Sequence, residues 1–344
     1  MAAARPADEV ASPVRSTPSV DVHTHGIPRN LPDLAVRYAG AWPSLVTTAP
    51  GTADLVLGGK FFRALDDRCW NSRRRIEEMD AEGVTVQVVS PIPVTFSYRL
   101  ASPGVTELAR VQNEWIADLV RDRPERFAGL GTVPLQDPAT AARSVTECVT
   151  ELGLRGVEVG TNVDGLALDD PSLDDFWAAC GATGAIVLVH PWQVIGEERL
   201  ARHGLLYSVG MPAETAAAAA TLMLGGVLDR HPDLRIVLAH GGGALLAMLP
   251  RIERCLAMLP GLTPPALAPH SYLRRFWYDS LVYDPGTVRS LVQAVGADRV
   301  MVGTDFPFPI ADRPAGGSVL AAGLDDDDTA AVLAGTARDL FSLH

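Results

Sequence analysis

Five side chains in this sequence have the types and spacing to hold a metal ion and to move a proton beside it. His23 and His25 stand one residue apart in Asp21-Val22-His23-Thr24-His25. On an extended strand residues i and i+2 share a face, so the two imidazoles project together. His190 closes Leu188-Val189-His190, His240 follows Leu238-Ala239 and opens a run of three glycines, and Asp305 sits in Gly303-Thr304-Asp305. Each comes at the end of a short apolar stretch. A His-x-His pair alone is also what two solvated loop histidines look like; four histidines and an aspartate at successive strand ends form a constellation. Imidazole and carboxylate are ordinary zinc ligands, bound at roughly 2.0–2.2 Å. Zinc lowers the pKa of a held water to about 7, so an unligated histidine nearby can take or return its proton. Five candidates for four positions leave one over. His23, His25, His190 and Asp305 are the expected ligands, and His240 is the expected proton carrier.

For these residues to meet, the elements that carry them must end in one place. After the first strand, apolar positions at helical spacing and short apolar runs alternate. Helices are predicted near 75–83, 105–121, 138–151, 172–180, 213–230, 244–258, 285–295 and 328–341. Strands are predicted at 84–91, 127–133, 157–160, 185–190, 235–240, 276–282 and 299–304. With the first strand this makes eight strand-helix units, the pattern of an α/β (β/α)8 TIM barrel whose site lies at the C-terminal strand ends. A doubly wound open sheet would carry a glycine-rich phosphate loop where this chain has His-x-His. Residues 31–70, broken by Pro32, Pro43 and Pro50, read as an insertion after the first strand, a lid over the active site.

Composition narrows the function classes. The 344 residues are 47% apolar and 20% charged, and no run approaches the ~20 apolar residues that span a bilayer. The first sixteen residues lack an apolar signal core and read as a flexible tail, 1–16, ahead of a metal-dependent barrel over 17–344. A formal charge of −12 argues against nucleic acid and anionic membrane as partners. Four scattered cysteines without a Cys-x-x-Cys pair suggest neither a disulfide framework nor structural zinc, which makes a reducing cytoplasm the expected setting.

His-x-His on the first strand, histidines on the fifth and sixth and aspartate on the eighth resemble the amidohydrolase superfamily. Binuclear members bridge two metals with a carboxylated lysine on the fourth strand. Here that strand reads Gly156-Val157-Glu158-Val159-Gly160, and the only lysine, Lys60, lies in the insertion. The resemblance therefore implies one metal per subunit, zinc or another divalent transition ion. Gly59-Lys60-Phe61-Phe62-Arg63, Cys69-Trp70, His190-Pro191-Trp192, Val209-Gly210-Met211-Pro212-Ala213-Glu214 and Gly303-Thr304-Asp305-Phe306-Pro307-Phe308 resemble, more narrowly, the α-amino-β-carboxymuconate-ε-semialdehyde decarboxylase family, across residues 20–308. This implies a carboxy-lyase that removes CO2 without oxidation from an unsaturated or aromatic carboxylic acid, 2-amino-3-carboxymuconate semialdehyde or a close analogue. It places the ligands at His23, His25, His190 and Asp305 and the proton carrier at His240. It also implies carboxylate-binding arginines at Arg63 and, reaching in from the neighbouring subunit of a homodimer, Arg251; guanidinium suits this because its planar fork grips a carboxylate bidentately. Trp192 and Phe308 are expected to flank the substrate. Tyr207 stands where that family places a tryptophan, so the pocket wall is expected to differ. Hydrolysis of a lactone or amide by the same metal-held water is the alternative reading.

Overall fold

The computed structural model describes residues 18–343, and the expected tail at 1–16 lies outside the described residues. Eight strands run parallel: β1 (Ser19–Gly26), β2 (Val84–Pro91), β3 (Phe127–Gly131), β4 (Gly156–Gly160), β5 (Ile186–His190), β6 (Arg235–Leu238), β7 (Phe276–Asp279) and β8 (Val300–Met301). They are hydrogen-bonded in that order. The first meets the last: Val22 N–H donates to Val302 O at 2.8 Å, His25 N–H to Phe306 O at 2.7 Å, and Asp305 N–H to His23 O at 2.9 Å. The sheet is a (β/α)8 barrel.

The strands read as continuous apolar runs because both of their faces are buried. Alternate residues sort into two layers. Val20, Val22, Val86, Val88, Leu130, Leu188 and Val237 fill the barrel interior. Val157, Val159, Val187, Val189, Ile236 and Leu238 face the surrounding helices. The same alternation turns Glu158, between Val157 and Val159, into the barrel.

Helix limits follow local chemistry. Asn71 accepts from the backbone N–H groups of Arg73 and Arg74 to open the helix Ser72–Glu82, and Gly83 closes it in the left-handed region. The helix expected over 213–230 is two helices, Met211–Leu224 and Val227–Arg230, because Gly225 and Gly226 interrupt it. The insertion is more regular than its prolines suggest. Pro43–Ala49, Thr52–Leu57 and Lys60–Asp66 form a three-stranded antiparallel sheet. Its breakers are its turns: Pro50-Gly51 and Gly58-Gly59 are two-residue connections, with φ of +79° at Gly51 and +54° and +77° at Gly58 and Gly59. Among the described residues no helix is long and apolar enough to cross a membrane.

Candidate metal centre

His23 and His25 project from β1 and His190 from β5. Asp305 follows β8, with φ of +68°. His23, His25, His190 and Asp305 are buried, and one ligand atom from each lies within 4.8 Å of all the others. Each ring is turned by a contact on its far nitrogen. His23 Nδ1 faces the Asp279 carboxylate at 2.6 Å, His25 Nδ1 the carbonyl of Pro91 at 2.9 Å, and His190 Nδ1 the carbonyl of Pro191 at 3.1 Å. In the tautomer that donates these bonds, all three Nε2 atoms present lone pairs to the same space. His23 Nε2 and His25 Nε2 are 3.2 Å apart, and His25 Nε2 is 3.2 Å from Asp305 Oδ1. Ligands of a tetrahedral ion at ~2.1 Å lie ~3.4 Å from one another. His190 Nε2 is buried with no hydrogen-bond partner. Spacing, tautomers and an orphaned acceptor all fit one divalent ion.

Electrostatics separates the four histidines. Burial disfavours a charged ring at His23, but the hydrogen bond and charge of Asp279, with Asp305 beyond, outweigh it and push its pKa up to about 9. His25 and His190 are held below the ordinary value, chiefly by burial. His240 falls to about 4, through burial first and the charge of His23 second. Burial works against Asp305 and Asp279 as anions, yet their histidine contacts keep both below the usual carboxylate range.

His240 is the fifth member of the group and does not share the ligand cluster. β6 ends two residues before it, and the imidazole hangs from a turn in which His240 and the three glycines after it all have positive φ, from +57° to +75°. Gly243 is obligatory: a Cβ there would stand 2.1 Å from the carbonyl oxygen of Pro212. The turn sets the ring 5.2 Å from that of His23 and 5.1 Å from that of His190, centroid to centroid. Its Nδ1 is buried without a partner. A neutral imidazole therefore lies at the edge of the donor set, free to accept a proton.

Above these groups opens a cavity of about 1040 Å3, walled by Phe62, Trp192, Tyr207, Tyr283 and Phe308 and reached by Arg63. Phe308 stacks on His25 at 5.4 Å between centroids. Phe62 meets Trp192 edge-on at 6.1 Å. The Arg63 guanidinium sits 4.3 Å above the Phe308 ring and has no carboxylate partner among the described residues, so its fork faces the cavity unpaired. Arg251 lies elsewhere, exposed on the helix Leu245–Met258 and outside this cavity's lining. Tyr207 does line the wall.

Three contributors escaped the sequence reading. Asp279, the last residue of β7, accepts from His23 Nδ1 and, at 2.9 Å, from His240 N–H through Oδ2; its Oδ1 accepts from Gly241 N–H at 2.8 Å and Leu281 N–H at 3.1 Å. It ties His23 to the turn that carries His240. A lone carboxylate closing the apolar Phe276–Asp279 strand is the signal that marks it. Arg75 is wholly buried and donates to His25 O at 2.7 Å, Arg68 O at 3.1 Å and Thr24 Oγ1 at 2.9 Å, which fixes the end of β1. Asn162 donates to the carbonyls of Trp192 and Gln193 and to Glu214, holding the loop that carries Trp192.

A family model described as Amidohydrolase matches residues 20–343. The chain is 39% identical over 296 residues to a 2-amino-3-carboxymuconate-6-semialdehyde decarboxylase of Dictyostelium discoideum, spanning 85% of this chain and 82% of the relative. It is 32% identical to a γ-resorcylate decarboxylase of Rhodococcus jostii (strain RHA1), over 68% of this chain and 76% of the relative. The solved 5-carboxyvanillate decarboxylase of Sphingomonas paucimobilis superposes with a TM-score of 0.74 at 30% identity, covering 79% of this chain and 83% of that one. By the matched model, the shared barrel and these identities, the chain belongs to the amidohydrolase superfamily and groups there with decarboxylases.

Proposed function

We propose that the protein is a zinc-dependent, non-oxidative decarboxylase of an unsaturated or aromatic carboxylic acid, 2-amino-3-carboxymuconate semialdehyde or a close analogue. The observation that carries this reading is a neutral, half-buried His240, its Nδ1 enclosed without a partner, set against three histidines and an aspartate at the floor of an aromatic cavity whose unpaired cation is Arg63. The relatives named for 2-amino-3-carboxymuconate-6-semialdehyde and γ-resorcylate decarboxylation support the same reaction class.

The chain's own residues divide the work. His23, His25, His190 and Asp305 hold the ion, which supplies Lewis acidity when bound. Arg63 takes a substrate carboxylate in its planar fork. Trp192 and Phe308 clamp the conjugated plane and exclude water. His240 holds a proton weakly, so once it carries one it is a strong donor toward carbon. It takes that proton from a water in the site and delivers it to the carbon from which CO2 leaves: one water O–H bond and one C–C bond break, one C–H bond forms, hydroxide is left behind, and no oxidant is consumed. The insertion at 31–70 serves as a lid through Phe62 and Arg63. Arg251 reaches the neighbouring active site in a homodimer and binds a second carboxylate. All four cysteines are free thiols, which supports a reducing, cytoplasmic setting.

His240→Ala tests the assignment. With metal content unchanged, CO2 release is expected to fall about 10^2- to 10^4-fold; full activity overturns the role. Incorporation of solvent oxygen without CO2 release would mark a lactone or amide hydrolase instead.

A further inference from the structure

The end of the barrel opposite the metal ligands carries a second cavity, of about 420 Å3, where β5 to β8 begin. Four arginines converge on it: Arg235 at the start of β6, Arg274 and Arg275 just before β7, and Arg299 just before β8. Trp277 supplies an aromatic wall, with the Arg299 guanidinium 4.6 Å above its ring. The lining also includes one carboxylate, Asp233.

The charge there is not balanced. Asp298 pairs with Arg274 at 2.9 Å and lies 3.5 Å from Arg299. Among the described residues neither Arg235 nor Arg275 is ion-paired. Arg275 instead donates to the carbonyls of Leu228 at 3.1 Å and Pro232 at 2.8 Å. Arg299 donates to Arg274 O at 3.0 Å and to Asp298 O at 3.2 Å. Carbonyl acceptors immobilise a guanidinium without neutralising it. The Arg275 and Arg299 forks are thus fixed before any ligand arrives, which removes part of the ordering cost of binding, while the exposed Arg235 has no such anchor among the described residues and is left to close on the ligand. A concentration of positive charge in a chain of net charge −12 runs against the field of the whole molecule. The same field disfavours a long polyanion such as nucleic acid, which would lie across the acidic surface as well.

The geometry points to a site for a compact, multivalent oxyanion at the base of the barrel, held by Arg235 and Arg275 with Arg299 and Trp277 as its wall. Phosphate esters and small polycarboxylates share the required chemistry: several oxygens able to meet guanidinium forks bidentately. Occupancy would tie together the segments around Gly184, Pro232, Arg275 and Arg299, which hold the beginnings of four strands. The end of a TIM barrel opposite its active site serves stability, so the ligand acts on the fold.

Thermal unfolding of the full chain in inorganic phosphate, in succinate and in sodium chloride of matched ionic strength tests this. Phosphate, succinate or both should raise Tm saturably, by about 2 °C at tenfold saturation, above the chloride control; which of them does so identifies the source of the oxyanion. Arg235→Glu, at an exposed and unpaired position, should abolish the rise and still fold. Arg63→Ala, in the other cavity, should retain it. A rise that survives Arg235→Glu, that is lost in Arg63→Ala, or that chloride matches overturns the site, as does no rise at all.

Discussion

Asp279→Asn separates hydrogen bonding from charge at the residue that joins the ligand cluster to the His240 turn. The carboxylate accepts from four donors, His23 Nδ1, His240 N–H, Gly241 N–H and Leu281 N–H, at 2.6 to 3.1 Å. An amide has one oxygen. Whichever way it is turned, two of these buried donors meet an N–H2 group, and at about 1–3 kcal/mol each the variant should lose about 2–6 kcal/mol of stability in urea unfolding. Its metal affinity should also fall, because an outer partner of a ligating histidine is worth about 10- to 100-fold. The pH dependence carries the sharper expectation. In the metal-free wild type His23 keeps its proton up to about pH 9, chiefly through Asp279. Metal must displace that proton, so affinity should climb about tenfold per pH unit from 7 to 9. The remaining ligands are already deprotonated across this range and add no slope. Without the carboxylate the main influence opposing burial is gone and only the charges of Asp305 and Glu158 remain, so His23 should give up its proton at lower pH and the slope between 7 and 9 should flatten. Loss of proton competition then masks the weaker intrinsic affinity near neutrality, and the deficit should emerge above pH 9. Competition against a chromophoric chelator from pH 7 to 9.5 reads both effects. A variant that keeps the wild-type slope refutes the coupling of Asp279 to His23.

Asp21 is raised from 3.8 to about 7, mostly by burial, against the opposing hydrogen bonds of Thr304 and His23. The folded metal-free protein therefore holds a proton that the unfolded chain releases above pH 4, and this group's contribution declines as pH rises from 4 to 7. By pH 8 the decline is about 4 kcal/mol. Asp21→Asn should accordingly unfold at higher urea than wild type at pH 8, with a gap less than half as large at pH 5. Gly243→Ala places a Cβ 2.1 Å from Pro212 O at φ +60° and should cost at least about 2–3 kcal/mol, seen as a drop of about 3–4 °C or more in Tm. Dialysis against a strong chelator should abolish CO2 release and lower Tm, and one equivalent of divalent ion per chain should restore both.

How much of this was legible in the sequence depends on whether a residue's role shows in its own type and local pattern or only in the contacts it makes. The candidate ligand group was readable because each member ends a strand, and barrel topology alone carries strand ends to one mouth: residues as far apart as His25 and Asp305 meet at 3.2 Å. The stop of the first helix was readable because its cap, Gly83, is local, whereas its start, expected near 75, lies at Ser72 behind the Asn71 cap. The insertion was only half readable. Its Pro and Gly residues mark breaks, but whether a break is a loop or a hairpin turn depends on pairing between strands that propensity does not report. Asp279 and Arg75 were hidden for another reason. Their partners lie 256 and 50 residues away, and one charged residue on an apolar strand or helix is equally consistent with exposure. What distinguishes them is that the barrel buries them, and a buried charge persists only where donors and acceptors surround it. The candidate ligands announce themselves by type, whereas the residues that aim them are defined by contacts formed once the chain is closed. It follows that substitutions which preserve all five candidate side chains, Asp279→Asn first among them, can still dismantle the site.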